Sequence, residues 1–187
     1  MKVTRFVTAC IFTFLSIGTF AAEYEISRQS DGPFSFSISG VKINEGSSLV
    51  RESILFNEPS SPVNIDSHST SIIYADRGFR FKGKTAIKVN SQIVAIETRT
   101  SLYDAFGQHM KNLSNSEVKD FSIGNANIEG EWRAYDNDIS KLLTSVTYVA
   151  RVRFADGTQW IFDVDNLQLA LSTLNLEQEI GSEDDEE

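Results

Sequence analysis

The sequence predicts a mainly β protein, a two-sheet β-sandwich with an extra N-terminal strand and a short C-terminal helix. Three observations carry that expectation. Apolar and polar residues alternate at period two along most of residues 34–164, the pattern of strands with one buried face. Turn-forming residues, among them Pro59, Pro62, Gly78, Gly107 and Gly157, punctuate the alternation, and short strands so spaced pack as a sandwich or a barrel. Too little helical spacing lies between them for βαβ units.

In chain order, Phe34, Phe36 and Ile38 alternate with serines and end at Gly40, which predicts one strand within an extension over residues 22–50. The sandwich proper is expected over 51–180. Its first strand covers Arg51 to Asn57, and Pro59 and Pro62 then break the pairing because proline lacks the ladder N–H. Val63 and Ile65 restart it. Ile73 and Ala75 lead through Asp76-Arg77-Gly78 to Phe79 and Phe81, a hairpin with Gly78 expected at the positive-φ position. Ile87 and Val89 form another short strand. Val94, Ile96 and Leu102 share one face of a long strand ending at Tyr103-Asp104. Phe121 and Ile123 follow, then Ile128 to Ala134 around Trp132, and Asp138 to Leu143 is expected to make one helical turn.

The last hairpin is the most constrained. Val146, Tyr148, Ala150, Val152 and Phe154 read as one face, and the chain turns at Asp156-Gly157 into Trp160, Phe162 and Val164. A two-residue loop would set Phe154 opposite Gln159 and Ala150 opposite Asp163. A three-residue loop, Ala155-Asp156-Gly157, sets Val152 opposite Trp160 and Ala150 opposite Phe162. A one-residue slip moves every side chain to the other face, so the apolar match selects the longer loop, with Gly157 left-handed in a G1 bulge. Val94, Ile96, Leu102, Val152, Trp160 and Phe162 are then expected inside, with Arg151 and Arg153 outside. Beyond Val164 the rhythm becomes helical at Leu167, Ala170, Leu171 and Leu174, with Asp165 as N-cap and Gln168 three residues on. A strand through Leu167, Leu169 and Leu171 is the rival.

The first 21 residues have the order of a signal peptide. Lys2 and Arg5 precede an apolar run from Phe6 to Phe20, and Thr19 and Ala21 are the small residues before cleavage. The run is shorter than the ~20 residues of a spanning helix. Val7-Thr8-Ala9-Cys10 is similar to a lipobox but has only six residues before it. Cys10 is the single cysteine, so the mature chain would form no disulfide and hold no cysteine-ligated metal. The compartment expected is periplasmic or secreted. The net charge of −9 becomes −11 once Lys2 and Arg5 are removed, and six acids fall in the last nine residues. Nucleic-acid binding needs the opposite sign. The acidic end, 181–187, is expected to be a disordered, dispensable tail.

Thr100-Ser101-Leu102-Tyr103-Asp104-Ala105-Phe106-Gly107 resembles the signature of FxLYD-type domains of exported bacterial proteins. The match lies at Leu102, Tyr103, Asp104 and Gly107, with Thr100 where that signature has an aromatic residue. The resemblance implies an immunoglobulin-like sandwich and no catalytic set.

No catalytic, cofactor-binding or metal-binding residue is assigned, and no cofactor is expected. His68 and His109 lie far apart in sequence without a nucleophile-elbow motif. Asp136-Asn137-Asp138 lacks the glycine and distal glutamate of a calcium loop. The candidate partner-binding residues are Arg151 and Arg153, with Trp132 or Tyr135 nearby, because arginines and exposed aromatics are enriched at binding hot spots. Outward arginines also simply solvate a one-sided sheet. The functional expectation is a non-enzymatic envelope module that binds a protein partner or supports an envelope assembly. A small-ligand binder or an inhibitor of an exported enzyme is the alternative, and a hydrolase ranks third.

Overall fold

The computed structural model describes residues 25–33, 35–38, 41–44, 50–135, 139 and 141–178. The expected signal peptide, the Asp136-Asn137-Asp138 run and the acidic tail lie outside these. Among these residues the elements follow in order as β1 (Glu25–Pro33), β2 (Ser35–Ile38), β3 (Val41–Asn44), β4 (Val50–Asn57), β5 (Val63–Ala75), β6 (Gly78–Val89), β7 (Ile93–Asp104), β8 (His109–Phe121), β9 (Gly124–Ala134), β10 (Leu142–Phe154), β11 (Gln159–Ile161) and α1 (Val164–Thr173).

The strands form a two-sheet sandwich. One sheet has the order β1-β4-β10-β7-β8, with β11 also on β10, and the other has the order β3-β2-β5-β6-β9. The segment before residue 50 supplies three strands rather than one. β1 pairs with β4, β2 and β3 form a hairpin, and β2 meets β5 in parallel at Ser37 and Ile73. The strand expected around Phe36 is β2.

Between the sheets lie two apolar clusters. Leu55, Ile65, Ile87, Ile96, Val149 and Val152 belong to one, and Ile72, Phe81, Leu102, Leu113 and Leu142 to the other. A waist of buried polar residues separates them. His68 accepts or donates at both ring nitrogens, Nδ1 to Thr85 Oγ1 and Nε2 to Thr70 Oγ1, each at 2.8 Å. Thr100 and Thr147 join hydroxyls at 2.9 Å, and Ser145 donates to Ser53 at 3.2 Å. Burial is tolerable because these hydroxyls have partners. A third cluster lies on the far face of the first sheet, where Leu167, Ala170 and Leu171 of α1 cover Ile54, Phe56, Tyr103, Val146, Tyr148 and Phe162. The helix therefore wins over the strand reading. Its N-cap is Asp163, whose carboxylate accepts from Asp165 N at 3.0 Å, not Asp165 itself.

Side chains close both sides of the sandwich. On one, Gln29 of β1 donates to Asp66 O (2.9 Å) and accepts from His68 N (3.4 Å), while Asp31 accepts from Thr70 N (3.4 Å). These bonds satisfy backbone groups on the edge of β5 away from β6, where no described strand pairs with it. On the other, Trp132 Nε1 of β9 donates to Ser114 O of β8 at 2.9 Å.

The last hairpin has the expected register, with Val152 opposite Trp160 and a Phe162 N–H bond to Ala150 O. Gly157 has φ +89°, closing a three-residue loop between Phe154 and Thr158. Other expectations need correction. The β5–β6 turn is a two-residue loop in which Ala75 pairs with Gly78. Its positive φ values fall on Asp76 (48°) and Arg77 (64°), not on Gly78, as a type I′ turn requires. Val94 is not a core residue. Ile93 is fully buried in its place, because Val94 is the extra residue of a bulge opposite β10. The face from Val146 to Phe154 is likewise split. Ala150 is an extra residue against β7, so Val146 and Tyr148 pack under α1 while Val152 and Phe154 face the other sheet. Trp160 is half-buried rather than enclosed, touching the inter-sheet cluster of Val152 and the cluster under α1, with Nε1 donating to Ser60 Oγ at 3.0 Å. Of the expected turn at Asp138 to Leu143, Leu142 and Leu143 already belong to β10.

Candidate functional site

Three bulges sit side by side near one end of the first sheet. The extra residues are Ala150 on β10, Val94 on β7 and the pair Lys119 and Asp120 on β8, opposite that same residue. Bulges add local twist and re-aim side chains. Here they frame a groove of about 260 Å³ lined by residues that include Ala95, Glu97, Val118, Arg151, Arg153 and Gln159. Two rows of paired residues cross it: Gln159–Arg153–Ala95–Val118 and Ile161–Arg151–Glu97–Ser116.

Glu97 anchors the arrangement. Its side chain is 4% exposed, and it accepts from Arg99 Nε at 2.8 Å through Oε1 and pairs with Arg151 Nε through Oε2. A buried carboxylate needs such cations, since taking the charge from water is costly unless it is paired. Arg151 stays 60% exposed. Arg153 is exposed as well and has no acidic partner among the described residues. Glu117 pairs with Lys119 beside it. Large apolar side chains stand at the margins: Val118 is 85% exposed and Ile161 68%.

The four residues proposed from sequence do not form one site. Arg151 and Arg153 share the groove. Trp132 points between the sheets over Gly83 and Gly130, half-buried, as part of the closure described above. Tyr135 is exposed near Lys111, whose ammonium lies 5.5 Å from the ring centroid. Lys111 pairs with Leu102, seven residues along β7 from Ala95, the partner of Arg153. At roughly 3.3 Å per residue that is about 23 Å along the sheet from Arg153 and about 17 Å from Arg151, which pairs with Glu97. Sequence reasoning missed Glu97, whose one available signal was a carboxylate inside an otherwise apolar and hydroxyl-bearing strand.

The histidines are placed differently. Burial pushes His68 down to about 4, and both of its ring nitrogens are engaged by threonines. His109 Nε2 lies 2.9 Å from Asn112 Oδ1, and its backbone N–H donates to Glu177 Oε2 at 2.7 Å. Among the described residues neither imidazole is hydrogen-bonded to a serine or a carboxylate. Asp31 is pushed up to about 6 by burial, against the opposing pull of the Thr70 N–H and the Arg51 guanidinium. Among the described residues no group of three or more His, Cys, Asp or Glu could hold a metal, and no helix is long and apolar enough to cross a membrane.

The residues of the 102–107 motif have structural placements. Leu102 lies in the inter-sheet core and Tyr103 under α1. Asp104 Oδ1 accepts from Phe106 N (2.8 Å) and Gln108 N (3.0 Å), and Gly107, with φ +76°, accepts from Glu177 N at 2.9 Å.

No family model matches the chain, and no curated protein matches it. Its fold is similar to the crystal structure of a hypothetical protein from Peptoclostridium difficile 630, at TM-score 0.43 and 11% identity, covering 61% of this chain and 92% of that one.

Proposed function

We propose that this chain is an exported, non-enzymatic β-sandwich module that binds a protein partner through the groove bearing Arg151 and Arg153. The observation that carries the reading is the juxtaposition of two outward arginines with Val118 and Ile161, 85% and 68% exposed. Arginine is enriched at hot spots, and exposed apolar side chains grouped around such a centre favour burial against a partner. A small-ligand site fits less well, because the groove, at about 260 Å³, is smaller than pockets of roughly 300–1,000 Å³ that enclose a ligand. The hydrogen-bond partners of His68 and His109 favour structural roles over hydrolysis. Export rests on the charged, apolar and small-residue order of residues 1–21.

Affinity capture from an envelope extract tests this, using the mature protein and a double variant, Arg151→Glu with Arg153→Glu. The reading expects a stoichiometric protein retained by the first and lost by the second, with both variants melting alike. Equal retention by the two would overturn it.

A further inference from the structure

The groove sets two outward arginines on a chain whose net charge is −9. Glu97 is paired with Arg151 and Glu117 with Lys119, so Arg153 is the lining cation with no acidic partner among the described residues. Glu97 grips Arg151 by Nε, which leaves the two Nη groups to present their N–H fork, and the side chain is 60% exposed. A guanidinium so held has lost part of its rotamer freedom before any ligand arrives, and its fork matches a carboxylate. Arg153 is two residues further along β10 on the same face, about 7 Å away at the rise of a strand. That interval equals the spacing of side chains at i and i+2 in any extended segment.

We propose that Arg151 and Arg153 recognise an extended segment of the partner that carries carboxylates at alternate positions, and that Glu97 is the positioning residue for Arg151. This rests on the partner-binding reading of the groove and names the chemistry that reading leaves open. The two acidic side chains meet the two arginines one to one, and the intervening side chain points away from the sheet. An apolar side chain flanking the acidic pair then has Val118 or Ile161 to cover.

The test is fluorescence anisotropy with the mature protein and labelled octapeptides. One carries two glutamates at i and i+2 in a Val/Thr background, a second carries them at i and i+3, and a third has glutamine in their place. The proposal expects the i,i+2 peptide to bind about tenfold more tightly than either other peptide, a difference of ~1.4 kcal/mol, and to weaken as salt rises. Arg151→Lys should abolish the spacing preference although it keeps the charge. Glu97→Gln should reduce that preference while Arg153→Gln lowers affinity for both acidic peptides, in variants that melt as the parent does. Equal binding of the two spacings, or displacement by inorganic phosphate at the same concentration as by a glutamate peptide, would overturn the proposal in favour of an unspecific anion site. Failure of every acidic peptide, with a captured partner still lost in the double arginine variant, overturns the acidic-segment inference and leaves the groove reading intact. Loss of both results overturns both.

Discussion

Val149 and Val152, three residues apart on β10, both point between the sheets, because Ala150 is an extra residue with no partner on β7. The same insertion turns Arg151 and Arg153 outward into the groove. Deleting Ala150 would restore strict alternation and drive either Arg151 inward or Val149 outward. We expect a loss of more than about 4 kcal/mol, the range reserved for burying an unpaired charge or dismantling core packing. A chemical denaturation midpoint close to that of the parent would show that the bulge is not what sets the face of the arginines.

Neighbouring substitutions on β7 provide a second check of register. Ile93→Ala should cost about 2–4 kcal/mol and Val94→Ala less than ~1 kcal/mol, since only the first leaves a cavity. Trp160→Ala should fall between them at about 2–3 kcal/mol, below the ~3–5 of an enclosed aromatic, because the ring is half-buried. Equal losses at Ile93 and Val94 would place the bulge elsewhere.

Acid should act on His68 and Asp31 in opposed ways. His68 is held down near 4 by burial, so the folded state prefers the neutral ring. Its contribution is present above the unfolded value of about 6.5 and is lost as pH falls towards 4, amounting to roughly 3 kcal/mol at most. Asp31 is raised to about 6 by burial, so the folded state prefers its protonated form. Its contribution grows as pH falls through 6 and is lost as pH rises again. His68→Gln should therefore flatten the fall in stability between pH 6.5 and 4, and Asp31→Asn should steepen it. Melting curves across that range check both slopes; a His68→Gln profile parallel to the parent's would contradict the first.

Gly107 makes a sharper local prediction. Its φ is +76°, and a Cβ there would lie 2.7 Å from Asn175 O. Gly107→Ala should cost more than the ~1 kcal/mol of an ordinary left-handed position, and the added loss should appear as faster amide exchange at Glu177, whose N–H bonds to Gly107 O. Unchanged exchange at Glu177 would mean that the segment shifts without cost.

Trp132 tests how the sandwich is closed. Trp132→Phe removes the single N–H that reaches Ser114 O across the sheets, and about 1 kcal/mol should be lost. No change in stability would show that water replaces that bond freely.

Much of the sandwich was legible in the sequence, and its gaps have one main cause. β5 and β6 are 13 and 12 residues long, yet each reads as two short strands. The inward positions between their apolar ends hold His68, Thr70, Gly83 and Thr85, residues of the polar waist that break the apolar alternation without breaking the strand. β8 is hidden for a related reason: it is an edge strand whose enclosed side chains are only Leu113 and Phe121, and its Lys and Glu residues are those that suit an edge. The hairpin at Gly157 was readable because only one register matches apolar to apolar. The groove was half readable. Two outward arginines followed from alternation, whereas their common anchor Glu97 and the bulges that frame them arise from pairing between strands distant in sequence, where local pattern carries no signal. Trp132 lies within β9 opposite Phe81, and local pattern does not tell an aromatic that closes a sheet edge from one that faces a partner.

The central claim is that the partner docks on the face formed by β7, β8, β10 and β11. Amide chemical-shift mapping of the mature protein, titrated with the protein captured from envelope extract, tests it most directly. Perturbations should concentrate at Ala95, Glu97, Ser116 to Val118, Arg151 to Arg153 and Gln159 to Ile161, and be lost in the double arginine variant. Perturbations centred instead on Tyr135 or on the exposed Phe106 loop, with the groove amides unmoved, would contradict it.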